Sequence, residues 1–368
     1  MFKAQAPVAF FLGSFGGGGI EQVTANLAHG FVKLGIKVDL VLNRGESPHL
    51  WKMPAEARVV DLKASTLYKS LPSLVRYLQE ERPHALLATD HYQNEIAVLA
   101  KYIAGVATRV VVSERNQLSQ TVQNATKLKG RLTPLFARLL YPLSDGVVAV
   151  SQGVADDLAS TASVASERIQ TIYNPAIPAD ILVKAEENVQ HPWFTTPDLP
   201  VVLGVGKLEE QKDFPTLIRA FSKVRQFTPA RLVILGWGPE RQNLEVLIKQ
   251  MGLEADVALL GHVDNPYAYM KRSSVFVLSS AWEGFGNVLV EAMALKIPIV
   301  STDCKSGPAE ILANGKYGYL VPVGNNEAMG DAILKVLSGQ PRLIDPSWLH
   351  QFELETVVRK YLHALKIA

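Results

Sequence analysis

Along the chain, short runs of consecutive apolar residues alternate with stretches in which apolar positions recur every three or four residues. The runs Val8–Leu12, Val38–Leu42, Ala85–Thr89, Arg109–Ser113 and Gly146–Val150 have the length and continuous apolar character of strands buried on both faces. Between the first two, Ile20, Val23, Leu27, Phe31 and Leu34 fall on one face of a helix. A second series comprises Val201–Gly204, Leu232–Leu235, Val257–Leu259, Val275–Ser280, Ile297–Ser301 and Tyr319–Val321, with helical patterns at Pro215–Phe227, Glu240–Met251, Asn287–Leu295 and Glu327–Leu337. Strands alternating with helices in this way predict parallel sheets covered on both faces.

The stretch from Asn174 to Pro200 interrupts the alternation with Pro175, Pro178, Pro192, Pro197 and Pro200. Prolines at that density rule out a continuous helix or a central strand. The pattern predicts an α/β protein of two Rossmann-like, doubly wound parallel-sheet domains, residues 1–173 and 201–345, joined by a linker over 174–200. Residues 346–368 read as a C-terminal helix, Pro346–Ile367, available to pack back on the first domain. Two such layers across a linker make a cleft, and open parallel sheets bind ligands at the carboxyl ends of their strands, so the site is expected between the domains.

Composition narrows the class. The 368 residues, 48% hydrophobic and 20% charged, suffice for two cores and exclude disorder and coiled coil. Cys304 is the only cysteine, which excludes an internal disulfide and a thiolate metal cluster within one chain and fits a reducing compartment. No apolar run reaches the length of a membrane span or a signal peptide, so a cytoplasmic protein is expected, with peripheral attachment at the inner face of the cytoplasmic membrane left open. A net charge of +2 gives no reason to expect nucleic acid as a partner. The local distribution is more telling: from Arg115 to Ser144 there are five basic residues and no acidic one. Within that stretch Lys127, Lys129, Arg131 and Arg138 are interleaved with bulky apolar residues including Phe136. This pattern fits either contact with an anionic bilayer or an amphipathic helix packed on its own sheet.

Three strand-end loops carry candidate chemistry. Gly16–Gly19 follows Val8–Leu12 and opens a helix, where free N–H groups attract phosphate; it fits equally a tight strand-to-helix turn. Gly206 to Asp213 follows Val201–Gly204 and holds Lys207 and Lys212, a pair able to neutralise a diphosphate in place of a metal, or simply to be solvated. Ser279 to Glu291 combines a strand end, a glycine turn and a helix start with Glu283 before it and Glu291 one turn inside. A carboxylate there can accept two vicinal hydroxyls, as of a sugar or a ribose. The spacing of neither glycine loop is that of a dinucleotide fold, which disfavours a nicotinamide dehydrogenase.

Glu283 and Glu291, in the E-x7-E spacing with Glu283-Gly284-Phe285-Gly286, resemble the motif of the retaining family 4 glycosyltransferases of GT-B fold. The likeness extends over nearly the whole chain through Gly18–Glu21, Asp145–Ser151, Ile172–Pro175, Lys207–Lys212 and Gly236–Pro239, and Ser306–Leu312 resembles a branch acting in bacterial envelope assembly. The resemblance implies an enzyme that moves a hexose or N-acetylhexosamine from a nucleotide-sugar, expected to be a UDP-sugar, to a glycan or lipid-linked acceptor, with an acceptor-side first domain and a donor-binding second. By the same resemblance Lys207 and Lys212 hold the donor diphosphate and Glu283 the donor sugar. Gly284, Phe285, Gly286, Asn287 and Val288 line the phosphates and sugar, Glu291 takes the ribose, and Gly206, Gly236 and Val263 lie near the nucleotide. Gly18 and Gly19 approach from the first domain.

Two positions depart from the family pattern. Lys207 stands where arginine is usual, which keeps the charge and loses the bidentate fork. Arg115, beside Asn116, stands in the segment where many members carry a sugar-side histidine, so Arg115, His91 and Asn116 are the first-domain candidates. No D-x-D occurs, so the usual carboxylate pair for a divalent ion is missing and transfer without a metal or other cofactor is expected. A nucleotide-sugar epimerase of similar fold and a non-catalytic nucleotide-sugar-binding protein are the alternatives.

Overall fold

The five apolar runs of the first half become strands β1 (Val8–Leu12), β2 (Val38–Leu42), β4 (Ala85–Thr89), β5 (Arg109–Glu114) and β6 (Gly146–Ala149) of a computed structural model that describes residues 6–16, 18–125, 128–195 and 198–367. Two further strands, β3 (Arg58–Asp61) and β7 (Ile169–Thr171), close the sheet at its edges, giving the order β3-β2-β1-β4-β5-β6-β7 with every pair parallel. Both edge strands are short and neither has a fully buried residue, so neither needs the apolar run that marks a central strand. Arg58 of β3 instead pairs with the buried Asp39 of β2, whose carboxylate also accepts from the Tyr77 hydroxyl at 2.7 Å.

The second series forms β8 (Val201–Val205), β9 (Arg231–Leu235), β10 (Val257–Gly261), β11 (Val275–Leu278), β12 (Ile299–Thr302) and β13 (Tyr319–Val321), in the parallel order β10-β9-β8-β11-β12-β13. β11 stops at Leu278, two residues before the end of its apolar-run expectation, which releases Ser279 and Ser280 into the following loop.

The chain divides into two compact units: residues up to Pro175 together with those from Gln351, and Ala176–His350. Each has its own core. In the first, Phe10, Leu27 and Phe31 are sealed from solvent, each burial contributing on the order of 2 kcal/mol. In the second, Leu217, Phe221 and Val277 do the same. The proline-rich stretch is not bare linker: it contains the short helices Ile181–Ala185 and Pro192–Thr195, tied to the second unit by the Asn265 amide on the Lys184 carbonyl and the Arg272 guanidinium on the Ala185 carbonyl.

The single helix expected over Pro346–Ile367 is two pieces: a 3-10 coil Pro346–Phe352 and the helix Leu354–Leu365, separated by extended Glu353. Val357, Val358, Tyr361 and Leu365 of the second piece join the core of the first unit. Trp348 of the first piece donates to the Ile311 carbonyl in the second unit.

In both sheets the strand order reverses at one point, between β1 and β4 in the first and between β8 and β11 in the second. Loops leaving the carboxyl ends on either side of such a point diverge and open a crevice. The loops after β8 and β11 hold Lys207, Lys212 and Glu283, and Glu291 lies in the helix that the second loop enters.

Candidate active site

In the second unit the loops after β8 and β11 are stitched together. The Ser279 hydroxyl donates to the Lys212 carbonyl at 2.6 Å, the Ala281 amide to the Gln211 carbonyl at 2.8 Å, and the Gln211 side-chain amide to the Trp282 carbonyl at 3.0 Å. Asp213 adopts the left-handed conformation, φ 43°, and caps the helix Phe214–Phe227 by accepting from the Thr216 hydroxyl and amide. The cap fixes the chain direction at Lys212, whose ammonium donates to the Glu283 carboxylate at 2.5 Å. The Ser280 hydroxyl donates to the same oxygen at 2.7 Å, and Thr302 holds the Ser280 carbonyl. Lys207, at the start of the loop, is exposed and makes no ion pair among the described residues.

Backbone runs very close to backbone here. At Gly236, φ +146°, a Cβ would lie 1.7 Å from the Gly206 carbonyl oxygen, so only glycine lets the turn after β9 rest on the turn after β8. Gly307 is under the same constraint against the Phe285 carbonyl, which locks the Glu283–Asn287 turn from behind. Gly286, in the left-handed region, leads into the helix Asn287–Ala294, and no side chain caps that helix. Its positive end therefore adds roughly half a charge beside Glu283. Val288 lies in its first turn, partly buried.

Glu291 sits one turn further in, near the Tyr267 phenol, and the protein packed round its carboxyl pushes its pKa up to about 7. Cys304 lies near the Lys212–Glu283 pair: burial and then the Glu283 charge push its thiol up to about 12, which removes it as a nucleophile. Val263 lies in the loop after β10, the edge strand two places from the reversal point.

In the first unit Gly18 begins the helix Gly19–Lys33 without a side-chain cap, and Glu21 reaches back to accept from the Gly16 amide at 3.2 Å. Gly17, in the middle of that glycine run, lies outside the described residues. Beyond β4, Asp90 accepts from the His91 amide and its carboxylate faces His91 Nδ1 at 2.8 Å. Burial lowers the His91 pKa, but the hydrogen bond to Asp90 and the charges of Asp90, Glu114 and Glu95 outweigh it and lift the ring to about 8. Glu114, at the end of β5, is fully enclosed; burial pushes it up to about 7 against the pull of His91, and it accepts from the Tyr141 hydroxyl at 2.7 Å.

Arg115 is buried, with one guanidinium nitrogen on the Asn174 side-chain oxygen at 2.8 Å, while Nε and Nη2 have no partner among the described residues. The same holds for Asn43 Oδ1, Thr89 Oγ1, Gln93 Oε1 and Gln117 Oε1. Asn43 follows β2, Thr89 ends β4, and the amides of Asn43 and Gln93 stand over Gly13 at the end of β1. Buried polar atoms ordinarily find a hydrogen-bond partner, so the Asn43 and Gln93 side chains at Gly13 offer polar groups to a ligand. Asn116, next to Arg115, is exposed.

Asp90, His91 and Glu114 bring one ligand-type atom each within 4.8 Å of one another. The Asp90–His91 contact and the hydrogen bond from the Tyr141 hydroxyl to Glu114 engage atoms of the same groups. Of the basic segment, Arg131, Phe136 and Arg138 are exposed on the helix Leu128–Leu140, Lys127 lies outside the described residues, and so does the side chain of Lys129. No helix among the described residues is long and apolar enough to cross a membrane.

Of the two lysines and two glutamates singled out in the sequence, the structure brings Lys212 and Glu283 into contact. Sequence reasoning did not reach Gln211, Ser280 and Thr302, whose hydrogen bonds hold the Glu283 loop, or Glu114, a carboxylate at the end of β5.

Two parallel sheets, each with one reversal of strand order, define a doubly wound α/β protein, and the second carries cationic and carboxylate-bearing residues at its reversal point. The family model described as "Glycosyltransferase Family 4" matches residues 17–179 and that described as "Glycosyl transferases group 1" matches 186–346. The chain is 31% identical over 341 residues, 90% of each sequence, to the N-acetylgalactosamine-N,N'-diacetylbacillosaminyl-diphospho-undecaprenol 4-alpha-N-acetylgalactosaminyltransferase of Campylobacter jejuni. The protein belongs to this glycosyltransferase family, and its fold is GT-B. Among solved structures, Anabaena HepE in complex with UDP and glucose superposes with a TM-score of 0.81 at 19% identity, covering 99% of this chain and 100% of that one. The lipopolysaccharide outer core galactosyltransferase WaaB, in its apo form, superposes with a TM-score of 0.74 at 21% identity, covering 98% and 99%.

Proposed function

We propose that the protein is a retaining glycosyltransferase that moves a hexose or N-acetylhexosamine from a UDP-sugar to a glycan or lipid-linked acceptor, without a metal ion, in the assembly of polysaccharide, lipopolysaccharide or glycoprotein glycans. The observation that carries this reading is the stitched pair of loops at the second reversal point, which sets Lys212, Glu283 and an uncapped helix start side by side. That is a preassembled place for a diphosphate next to a sugar. A relative that acts on a diphospho-undecaprenol-linked glycan and a structural neighbour that holds UDP with glucose support the choice of acceptor and donor.

In this mechanism Lys207, Lys212 and the amides at Asn287 neutralise the charge that grows on the departing diphosphate as the bond from the sugar C1 to the phosphate oxygen breaks. The acceptor hydroxyl forms its bond to C1 from the same face, and its proton passes to the departing phosphate oxygen. The anomeric configuration is therefore kept. Glu283 orients the sugar hydroxyls, Glu291 the ribose hydroxyls, and Gly206, Gly236 and Val263 border the nucleotide. The unpartnered polar groups around Arg115 and His91 are suited to a polyhydroxylated acceptor. Peripheral association with an anionic membrane at the cytoplasmic side suits a lipid-linked acceptor.

The test is transfer from radiolabelled UDP-sugars to undecaprenyl-diphosphate-linked glycans in EDTA, with the anomer of the product assigned by NMR. Transfer that persists in EDTA with retention is the expected result. Inversion, or complete dependence on added divalent ion, contradicts the reading.

A further inference from the structure

The helix Leu128–Leu140 is turned with its bulky side outward. Its buried face carries Thr133 and Ala137, followed by Tyr141, and Gly130 approaches Ala125 so closely that a Cβ would lie 2.8 Å from it. Leu132, Leu135, Phe136 and Leu139 share the opposite face and are 36%, 50%, 40% and 58% exposed. A helix that only covered its own sheet would bury these residues and expose the small ones. The neighbouring helix His91–Ala104 adds Tyr102 and Ile103, more than half exposed, and the Tyr102 hydroxyl donates at 3.1 Å to the Leu143 carbonyl in the turn that follows Leu140. The two helices thus present one continuous apolar face.

Charge identifies what covers it. Arg131 and Arg138 stand exposed on the helix that bears the leucines, and no acidic residue occurs between Arg115 and Ser144. The adjacent acid, Asp145, is paired with Lys101. A second copy docking by the same face would set arginines against arginines. Lipid phosphates would instead complement them. We infer that this face docks on an anionic bilayer, with the Leu132, Leu135, Leu139 and Ile103 side chains entering the acyl boundary and Arg131 and Arg138 on the headgroup phosphates. The inference deepens the proposed function and rests on its lipid-linked acceptor for its purpose, but its test reads lipid binding and not transfer.

The experiment is co-flotation of the full chain with vesicles of phosphatidylcholine containing phosphatidylglycerol, and with phosphatidylcholine alone. The wild type, Ile103→Ser/Leu135→Ser/Leu139→Ser, Arg131→Gln/Arg138→Gln and, as a control in the second unit, Phe227→Ser are compared. UDP binding is measured on every variant. The wild type and Phe227→Ser are expected to float with the mixed vesicles, and the apolar triple variant to bind about tenfold more weakly or worse. The arginine variant is expected to lose the preference for phosphatidylglycerol and its dependence on salt. Failure of folded wild type to float overturns the inference, as does equal flotation of the triple variant. A concentration-dependent dimer abolished by the triple variant, without vesicle binding, also overturns it in favour of a second copy. Flotation without UDP binding leaves the membrane face standing and counts against the enzyme reading alone.

Discussion

Lys212 and Glu283, 71 residues apart in the chain, meet at 2.5 Å with both side chains largely withdrawn from solvent. The pair neutralises itself, so a diphosphate entering the site must compete with Glu283 for Lys212. Glu283→Gln releases the lysine, and UDP binding is expected to hold or tighten while transfer falls about a hundredfold or more, because the sugar loses its carboxylate. Lys212→Ala has the opposite signature. It weakens UDP binding about tenfold or more and strands a buried carboxylate, destabilising the second unit by about 3 kcal/mol. The double variant Lys212→Met/Glu283→Gln regains most of that stability. Urea denaturation alongside nucleotide titration separates the two effects.

Glu291 makes donor binding depend on pH. With its pKa raised from 4.5 to about 7, the carboxyl is largely protonated at pH 6 and ionised at pH 8. Only the ionised form accepts hydrogen bonds from two ribose hydroxyls without donating one. Affinity for UDP-glucose, whose diphosphate does not titrate in this range, is expected to rise severalfold from pH 6 to pH 8, and to be flat in Glu291→Gln. For stability the sign is reversed. A folded-state pKa above the unfolded value gives a contribution present below pH 4.5 and lost as pH rises through about 7, so the thermal midpoint of wild type falls relative to Glu291→Gln between pH 5 and pH 8.

The turn carrying Glu283 depends on a glycine some twenty residues downstream. At Gly307 both the φ of +95° and the Phe285 carbonyl, 1.7 Å from where a Cβ would stand, exclude a side chain. Gly307→Ala is expected to destabilise by more than about 2 kcal/mol and to weaken nucleotide binding in whatever protein still folds. Gly252→Ala, at a φ of +64° with open space around it, meets only the backbone strain and costs about 1 kcal/mol. Thermal unfolding of the two variants, measured side by side, checks the difference.

The central strands were readable because burial on both faces demands unbroken apolar runs, as at Val38–Leu42 and Arg109–Ser113. β3 and β7 were not, since an edge strand can be as polar as Arg58–Asp61 and still pair. The break at Glu353 within the expected terminal helix was missed because the residues on both sides of it are helix-compatible and only the tertiary partners, Ile311 for Trp348 and the first core for Tyr361, pull them apart. Lys207, Lys212, Glu283 and Glu291 stood out in the sequence as candidates because charged residues follow strand ends there and their spacing resembles a family motif. The contact between Lys212 and Glu283 did not, because it depends on the reversal of strand order that brings β8 beside β11. The outward face of Leu128–Leu140 was likewise hidden in the sequence: a helical period says that one side is apolar, not which side faces the core.

The most direct test of the account is calorimetric titration of the protein with UDP, GDP and ADP in EDTA, repeated on Lys212→Ala and Glu291→Ala. The account predicts that UDP binds in the absence of divalent ions, that GDP and ADP bind more weakly, and that both substitutions weaken UDP. Folded wild type that binds no nucleotide in EDTA, or binds UDP equally well in both variants, would contradict it.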